Sequence, residues 1–155
     1  MIVIRDAQPD DCDVIVRFNA EMALETEDLE LDRSILSTAI AALLDDKEKG
    51  MYFMAEIDGQ IVGQSMVTTE WSDWRNGLFW WIQSVFVEPA YRRCGIYRRM
   101  YAYVKKLAGC EPQVCGFRLY VEKDNRRAQK TYLALGMKQS PYFFFEALKA
   151  GVDNS

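Results

Sequence analysis

Between Leu78 and Val121 the apolar pattern changes period twice, and that double switch narrows the architectures open to the chain. LFWWIQSVFV reads as a strand. From Tyr91 onward the apolar residues Ile96, Met100, Tyr103, Val104 and Leu107 recur at the spacing of one helix face. GFRLYV then returns to a strand. Strand, helix and strand in succession favour a parallel pair joined by a right-handed crossover. The chain is therefore expected to carry an α/β sheet.

The flanking segments extend that unit. IVIRDA reads as a first strand. PDDCDVIVRFNAEMALE reads as a helix with Val14, Ile15, Phe18 and Met22 on one face. DRSILSTAIAALLDDKEKG reads as a second, with Ile35, Leu36, Ala39, Ile40, Leu43 and Leu44 inward and Gly50 as its stop. MYFMAEI and QIVGQSMVTTE form a hairpin about Asp58–Gly59, and Asn76–Gly77 marks a second turn of the same kind. After the crossover unit, NRRAQKTYLALG is a helix capped by Asn125 and ended by Gly136, and PYFFFEAL closes as a strand. The sum is a mixed sheet of about six to seven strands flanked by about four helices, in the order β-α-α-β-β-β-α-β-α-β. No linker or repeat divides the chain, so one domain is expected over residues 1–148, with a tail at 149–155.

Composition removes several chemistries. The chain has no histidine, so a histidine base, triad or metal ligand is excluded. Cys12, Cys94, Cys110 and Cys115 show no Cys-x-x-Cys spacing, and they read as reduced thiols with no metal site. No apolar run approaches the ~20 residues needed to span a bilayer. The first residues lack the apolar core of an export signal. A cytoplasmic protein without a membrane partner is the expectation.

The net charge of −4 argues against general nucleic-acid affinity, but the charge is unevenly spread. Residues 1–50 hold thirteen acids against five bases. Between Pro89 and Cys110 there is no acid, while Arg92, Arg93, Arg98, Arg99, Lys105 and Lys106 are all present. The stretch EPAYRRCGIYRRM places four of these cations around Gly95, where a strand hands over to a helix. A helix N-terminus offers unpaired N–H groups and partial positive charge. Glycine lets a ligand approach the backbone, and guanidinium forks suit phosphate oxygens. A phosphorylated ligand fits this turn; a solvated basic helix face is the plainer alternative. Neither a P-loop nor a dinucleotide fingerprint is present.

Taken together, SVFVEPAYRRCGIYRRMYAYV and NRRAQKTYLALGM resemble the GNAT superfamily of acyl-CoA-dependent N-acetyltransferases. The family's pyrophosphate loop reads Gln/Arg-x-x-Gly-x-Gly/Ala, and Arg92, Gly95 and Tyr97 stand in those places. The family's later motif is matched by Asn125, Ala128, Tyr132 and Gly136. The resemblance implies acetyl-CoA as co-substrate, bound by Val85, Phe86, Val87, Arg92, Arg93, Cys94, Gly95, Ile96, Tyr97, Arg98, Asn125 and Tyr132. It implies an oxyanion held by backbone N–H groups near Phe86 and Val87, and a hydroxyl of Tyr132 directed at the departing sulfur. Tyr97 departs from the pattern, and its ring is expected to turn outward.

The resemblance leaves the base that takes the amine's proton open. Glu70 and Glu25 are the first candidates, with Asp73, Glu27 and Glu122 behind them; a water chain would also serve. Glu25, Glu27, Trp71, Asp73 and Trp74 combine carboxylates with aromatic faces and are expected to wall a site for a small cationic amine. A protein or peptide acetyltransferase and a non-catalytic acyl-CoA sensor are the competing readings. A homodimer is compatible with all of them.

Overall fold

A computed structural model describes residues 1–152, so residues 153–155 of the expected tail lie outside the described residues. The chain divides into two compact units, Met1–Tyr120 and Val121–Ser155.

The first unit is built on one mixed sheet. Its strands are β1 (Ile2–Asp6), β2 (Met51–Ile57), β3 (Gln60–Ser72), β4 (Gly77–Val87) and β5 (Val114–Leu119), lying in that order. The first three pairings are antiparallel and β4–β5 is parallel. The parallel pair is the one that the double change of period requires, with helix α3 (Ile96–Gly109) as its crossover. Helices α1 (Cys12–Glu27) and α2 (Arg33–Asp45) complete the unit.

Strand alternation divides the core in two. Tyr52 and Met54 of β2 pack with Ile15 and Val16 of α1 and Ile40 of α2. Ala55 of β2 and Val62 of β3 pack with Ile96 and Met100 of α3. The sheet is thus covered by α1 and α2 on one face and by α3 on the other. Trp80, buried, and Trp81, half-buried, are consecutive residues of β4 and so face opposite ways.

Several local expectations need correction. Ile35 is 67% exposed and Ala39 is exposed as well. The stripe of α2 that meets the core is narrower than expected: Leu36, Ile40, Leu43 and Leu44 fill it, and Ile35 and Ala39 fall beside it. Asp32 caps α2 by accepting from the Ser34 and Ile35 amides, at 2.8 and 3.3 Å. The helix ends at Asp45, before Gly50, whose added Cβ would stand 2.8 Å from the Val67 carbonyl oxygen. Gly50 therefore serves a close approach to the sheet.

The two hairpin turns also differ. Asp58 and Gly59 both have positive φ, 51° and 81°, as a two-residue turn of this hand demands. The β3–β4 connection is longer, because Ser72 pairs with Gly77 and leaves Asp73–Asn76 as a four-residue loop. Gly77 belongs to β4 itself, where an added Cβ would meet the Gln113 carbonyl oxygen at 2.9 Å.

The second unit contains α4 (Arg126–Ala134). Asn125 caps it, its Oδ1 accepting from the Ala128 amide at 3.1 Å, and Gly136 with φ 90° ends it. The expected strand over residues 141–148 does not form, so the sheet has five strands among the described residues. Phe143, Phe144 and Phe145 are contiguous, and an alternating strand cannot turn all three to one face. Phe143 and Phe145 are 86% and 90% exposed. Among the described residues no helix is long and apolar enough to cross a membrane.

Candidate active site

The site begins where β4 outruns its parallel neighbour. Pairing of β4 with β5 runs from Leu78–Val114 to Ile82–Leu119 and stops there. Residues 83–87 of β4 continue beside β3 only, with Gly63 opposite Val87 and Gln64 opposite Phe86. Backbone groups on the β5 side of this overhang have no strand partner among the described residues. They are donors and acceptors set for an extended ligand.

The overhang is bent. The β3–β4 register shifts between Gln64 and Met66, and Ser84 has φ 49°, left-handed for a residue that is not glycine. Beyond the bend, Val85 and Val87 pack on the α3 side. Phe86 is buried on the α1 side, its ring 4.9 Å from that of Phe18.

The N-terminal turn of α3 stands at the end of the overhang. Arg93 and Gly95 take left-handed φ values of 65° and 77°, and Gly95 is the N-cap of α3. Alternating hands of this kind turn successive N–H groups inward to make an anion cradle. An added Cβ at Gly95 would meet nothing within 4 Å, so the backbone there is open to a ligand. Arg93, Cys94, Arg98 and Arg99 are exposed around it, and Ile96 is buried beneath. These residues fit a diphosphate.

Arg92 does something else. Its Nε donates to the Val87 carbonyl oxygen at 2.8 Å, and Nη1 and Nη2 reach the two carboxylate oxygens of Glu25 at 2.6 and 2.8 Å. The whole fork is spent on latching α1 to the end of β4 rather than on a phosphate. The Arg92 guanidinium also holds the Glu25 carboxyl below its ordinary pKa, which makes Glu25 a poor acceptor for a proton. Tyr97 does not turn outward. Its ring joins the cluster containing Val85, Val87, Ile96 and Met100, stacks on Tyr101 at 6.3 Å, and has its hydroxyl shielded from solvent. One helical turn separates Tyr97 from Tyr101, and both rings gain by covering apolar surface.

The remaining acceptor-side candidates are not brought together. Glu70 stands opposite Phe79, five residues before Ser84 and so about 17 Å along the strand. It pairs with Arg118 at 2.5 Å, and that guanidinium lies 3.6 Å over the Phe79 ring. Trp71, Asp73 and Trp74 sit at the β3–β4 loop, farther still from the bend, and Trp71 faces the side opposite Glu70. The Asp73 carboxylate accepts from the Trp74 amide. Glu27 closes α1, two residues past Glu25 and exposed. In the second unit, burial pushes the Tyr132 phenol above its ordinary pKa, so it stays protonated at neutral pH. Glu122 is exposed and its carboxylate accepts from the Asp124 amide. Among the described residues no cluster of cysteine and carboxylate side chains is placed to hold a metal ion, and the described cysteines are free.

A buried polar group behind the bend had no place in the sequence reading. Gln64 Nε2 donates to the Ser84 carbonyl oxygen at 3.1 Å, and Asn19 Nδ2 donates to the Tyr52 hydroxyl at 3.0 Å. Asn19, Tyr52 and Gln64 are all buried. The one signal available was Gln83–Ser84 interrupting an apolar strand.

A strand overhang, a bend and a glycine turn into a helix mark this end of the sheet. The acetyltransferase (GNAT) family model matches residues 17–137, a span that crosses both units. The chain belongs to the GNAT acetyltransferase family. It is 44% identical to the solved structure of a possible acetyltransferase from Clostridium difficile 630, covering 96% of this chain and 98% of that one, with a TM-score of 0.89. It is 19% identical to a predicted acetyltransferase from Clostridium acetobutylicum solved with acetyl-CoA, covering 95% and 96%, TM-score 0.77. It is 16% identical to an aminoglycoside acetyltransferase from an uncultured soil metagenomic sample in complex with sisomicin, covering 96% and 97%, TM-score 0.74. No curated protein matches the chain.

Proposed function

We propose that this chain is an N-acetyltransferase that moves an acetyl group from acetyl-CoA to a primary amine of a small cationic molecule, by direct attack on the thioester. The overhang of β4 past Ile82, ending at the open glycine turn of α3, is the observation that carries the reading. The turn takes the pyrophosphate, and the overhang takes the pantetheine arm as an added strand. The Phe86 amide is turned toward β3, and the alternating amides of Val85 and Val87 face the carbonyl oxygen as it gains charge. The amine nitrogen bonds to the acetyl carbon, the carbon–sulfur bond breaks, and the sulfur takes a proton. The match to the family's later motif gives Tyr132 as the hydroxyl that serves that sulfur and Asn125 as a contact of the cofactor arm. With Glu25 held by Arg92 and Glu70 distant from the bend, the proton lost by the amine passes to water. Glu27 is exposed at the end of α1 as a carboxylate for a cationic acceptor, and the sisomicin complex of a structural neighbour supports an amine of that class.

The reading places the protein in the cytoplasm, as one acetyltransferase domain over residues 1–148, and admits a homodimer. Calorimetry with CoA and a thiol-release assay over a panel of polyamines, aminoglycosides and peptides test it. Saturable CoA binding with turnover of small amines is expected. CoA binding without turnover of any amine would leave an acyl-CoA sensor, and turnover of peptides alone would make the chain a protein acetyltransferase.

A further inference from the structure

The buried polar group behind β4 is hard to explain as packing. Gln64 is fully enclosed, and its Oε1 has no hydrogen-bond partner among the described residues. A leucine or methionine of similar volume would fill the site without burying an unpaired acceptor. The amide cannot simply be flipped, since Oε1 would then confront the Ser84 carbonyl oxygen that Nε2 now satisfies. The side chain therefore holds one particular backbone oxygen at the residue where the strand bends.

A second support reaches the same residue from another strand. The Tyr52 phenol lies beside Ser84, and Asn19 Nδ2 fixes it from α1 at 3.0 Å. The same Nδ2 also donates to the Ile15 carbonyl oxygen at 3.1 Å, so Asn19 is itself immobilised by its helix. Ser84 is thus held at its carbonyl by Gln64 of β3, with the Tyr52 phenol, fixed by Asn19, beside it. A left-handed φ in a residue with a Cβ persists only where the surroundings impose it. The bend, in turn, sets which way the next amides point.

We propose that Gln64, Tyr52 and Asn19 are positioning residues that lock the Ser84 bend and so aim the open-edge amides of Val85 and Val87 at the reacting carbonyl oxygen. The assignment rests on the acetyltransferase reading for its catalytic part, and its conformational part stands apart from it.

Gln64→Leu and Tyr52→Phe, each close in volume to the native residue, test both parts in the whole protein. Amide hydrogen exchange without ligand is followed in a peptide spanning residues 83–87, with one spanning residues 2–6 as control. Exchange about tenfold faster in the first and unchanged in the second is expected. In steady-state assays kcat should fall about thirtyfold while KM for acetyl-CoA stays within about twofold. The double variant should be no worse than the more affected single one, because both act through one bend. Folded variants that exchange residues 83–87 at the wild-type rate, or that keep the wild-type kcat, would overturn the proposal. A wild-type protein that neither binds CoA nor turns over any amine, with exchange still accelerated in the variants, would overturn the acetyltransferase reading and leave the locked bend standing.

Discussion

Gly95 and Glu25 are expected to respond differently to replacement. Gly95→Ala adds a methyl into open space, so its folding cost is the left-handed φ alone, about 1 kcal/mol. Its effect on the ligand should be larger, because the methyl occupies the approach to the cradle. CoA affinity is expected to fall at least about tenfold by calorimetry while the denaturation midpoint shifts little. Glu25→Gln removes one charge from a partly exposed pair. Stability should fall by about 1 kcal/mol or less, and the kcat–pH profile should keep its shape. A profile that loses its rise on the acid side would restore Glu25 as the base. The glycine was legible in the sequence because its role is local: spacing, charge and a helix start suffice. The employment of Arg92 was not, since its partner Glu25 lies 67 positions away and only the packing of α1 against β4 joins them. Ser84 was hidden for the same reason. A serine in a strand gives no sign of a left-handed bend until the flanking strands impose one.

At the scale of elements, β1 is tied to the start of α1 by Arg5. Its guanidinium reaches both carboxylate oxygens of Asp11, at 2.7 and 2.9 Å, and Glu56 of β2 at 2.8 Å. The hydrogen bond from Arg5 holds the Asp11 carboxyl below its ordinary pKa. A depressed folded-state pKa contributes stability that is fully present above the unfolded value and is lost as pH falls through the folded one. Asp11→Ala should therefore cost about 2 kcal/mol between pH 5 and 8 by urea denaturation, with the difference from wild type shrinking below about pH 4. Elements with a clear period were readable, and the crossover unit was readable most of all because few topologies satisfy it. The width of the α2 stripe was not, since period alone does not say how much of a helix the sheet can cover. The run Phe143–Phe145 misled for a related reason. Apolar content suggests a strand, but a strand exists only through a partner, and no partner is written in the segment itself.

For the whole molecule, the separation of charge matters more than its sum. Acids crowd the first fifty residues and cations crowd α3, so a net-negative protein still offers a positive port. CoA binding should weaken about tenfold between 0.05 and 0.5 M NaCl, and Arg98→Ala with Arg99→Ala should flatten that dependence. Salt titrations of both proteins by calorimetry check it. The basic turn into α3 was visible in the uneven spread of charge alone. The placement of Glu70, Trp71, Asp73 and Trp74 was not, because β3 and β4 carry them away from the bend, and sequence proximity to a strand does not say which end of it is near.

The five residues by which β4 exceeds β5 expose, in the middle of a sheet, the kind of ribbon that recruits stray chains into fibrils. The kink at Ser84 breaks that ribbon into lengths too short and too twisted to template another molecule. A bend proposed to aim amides would thereby also guard the empty protein against edge-to-edge association, and straightening it would forfeit both.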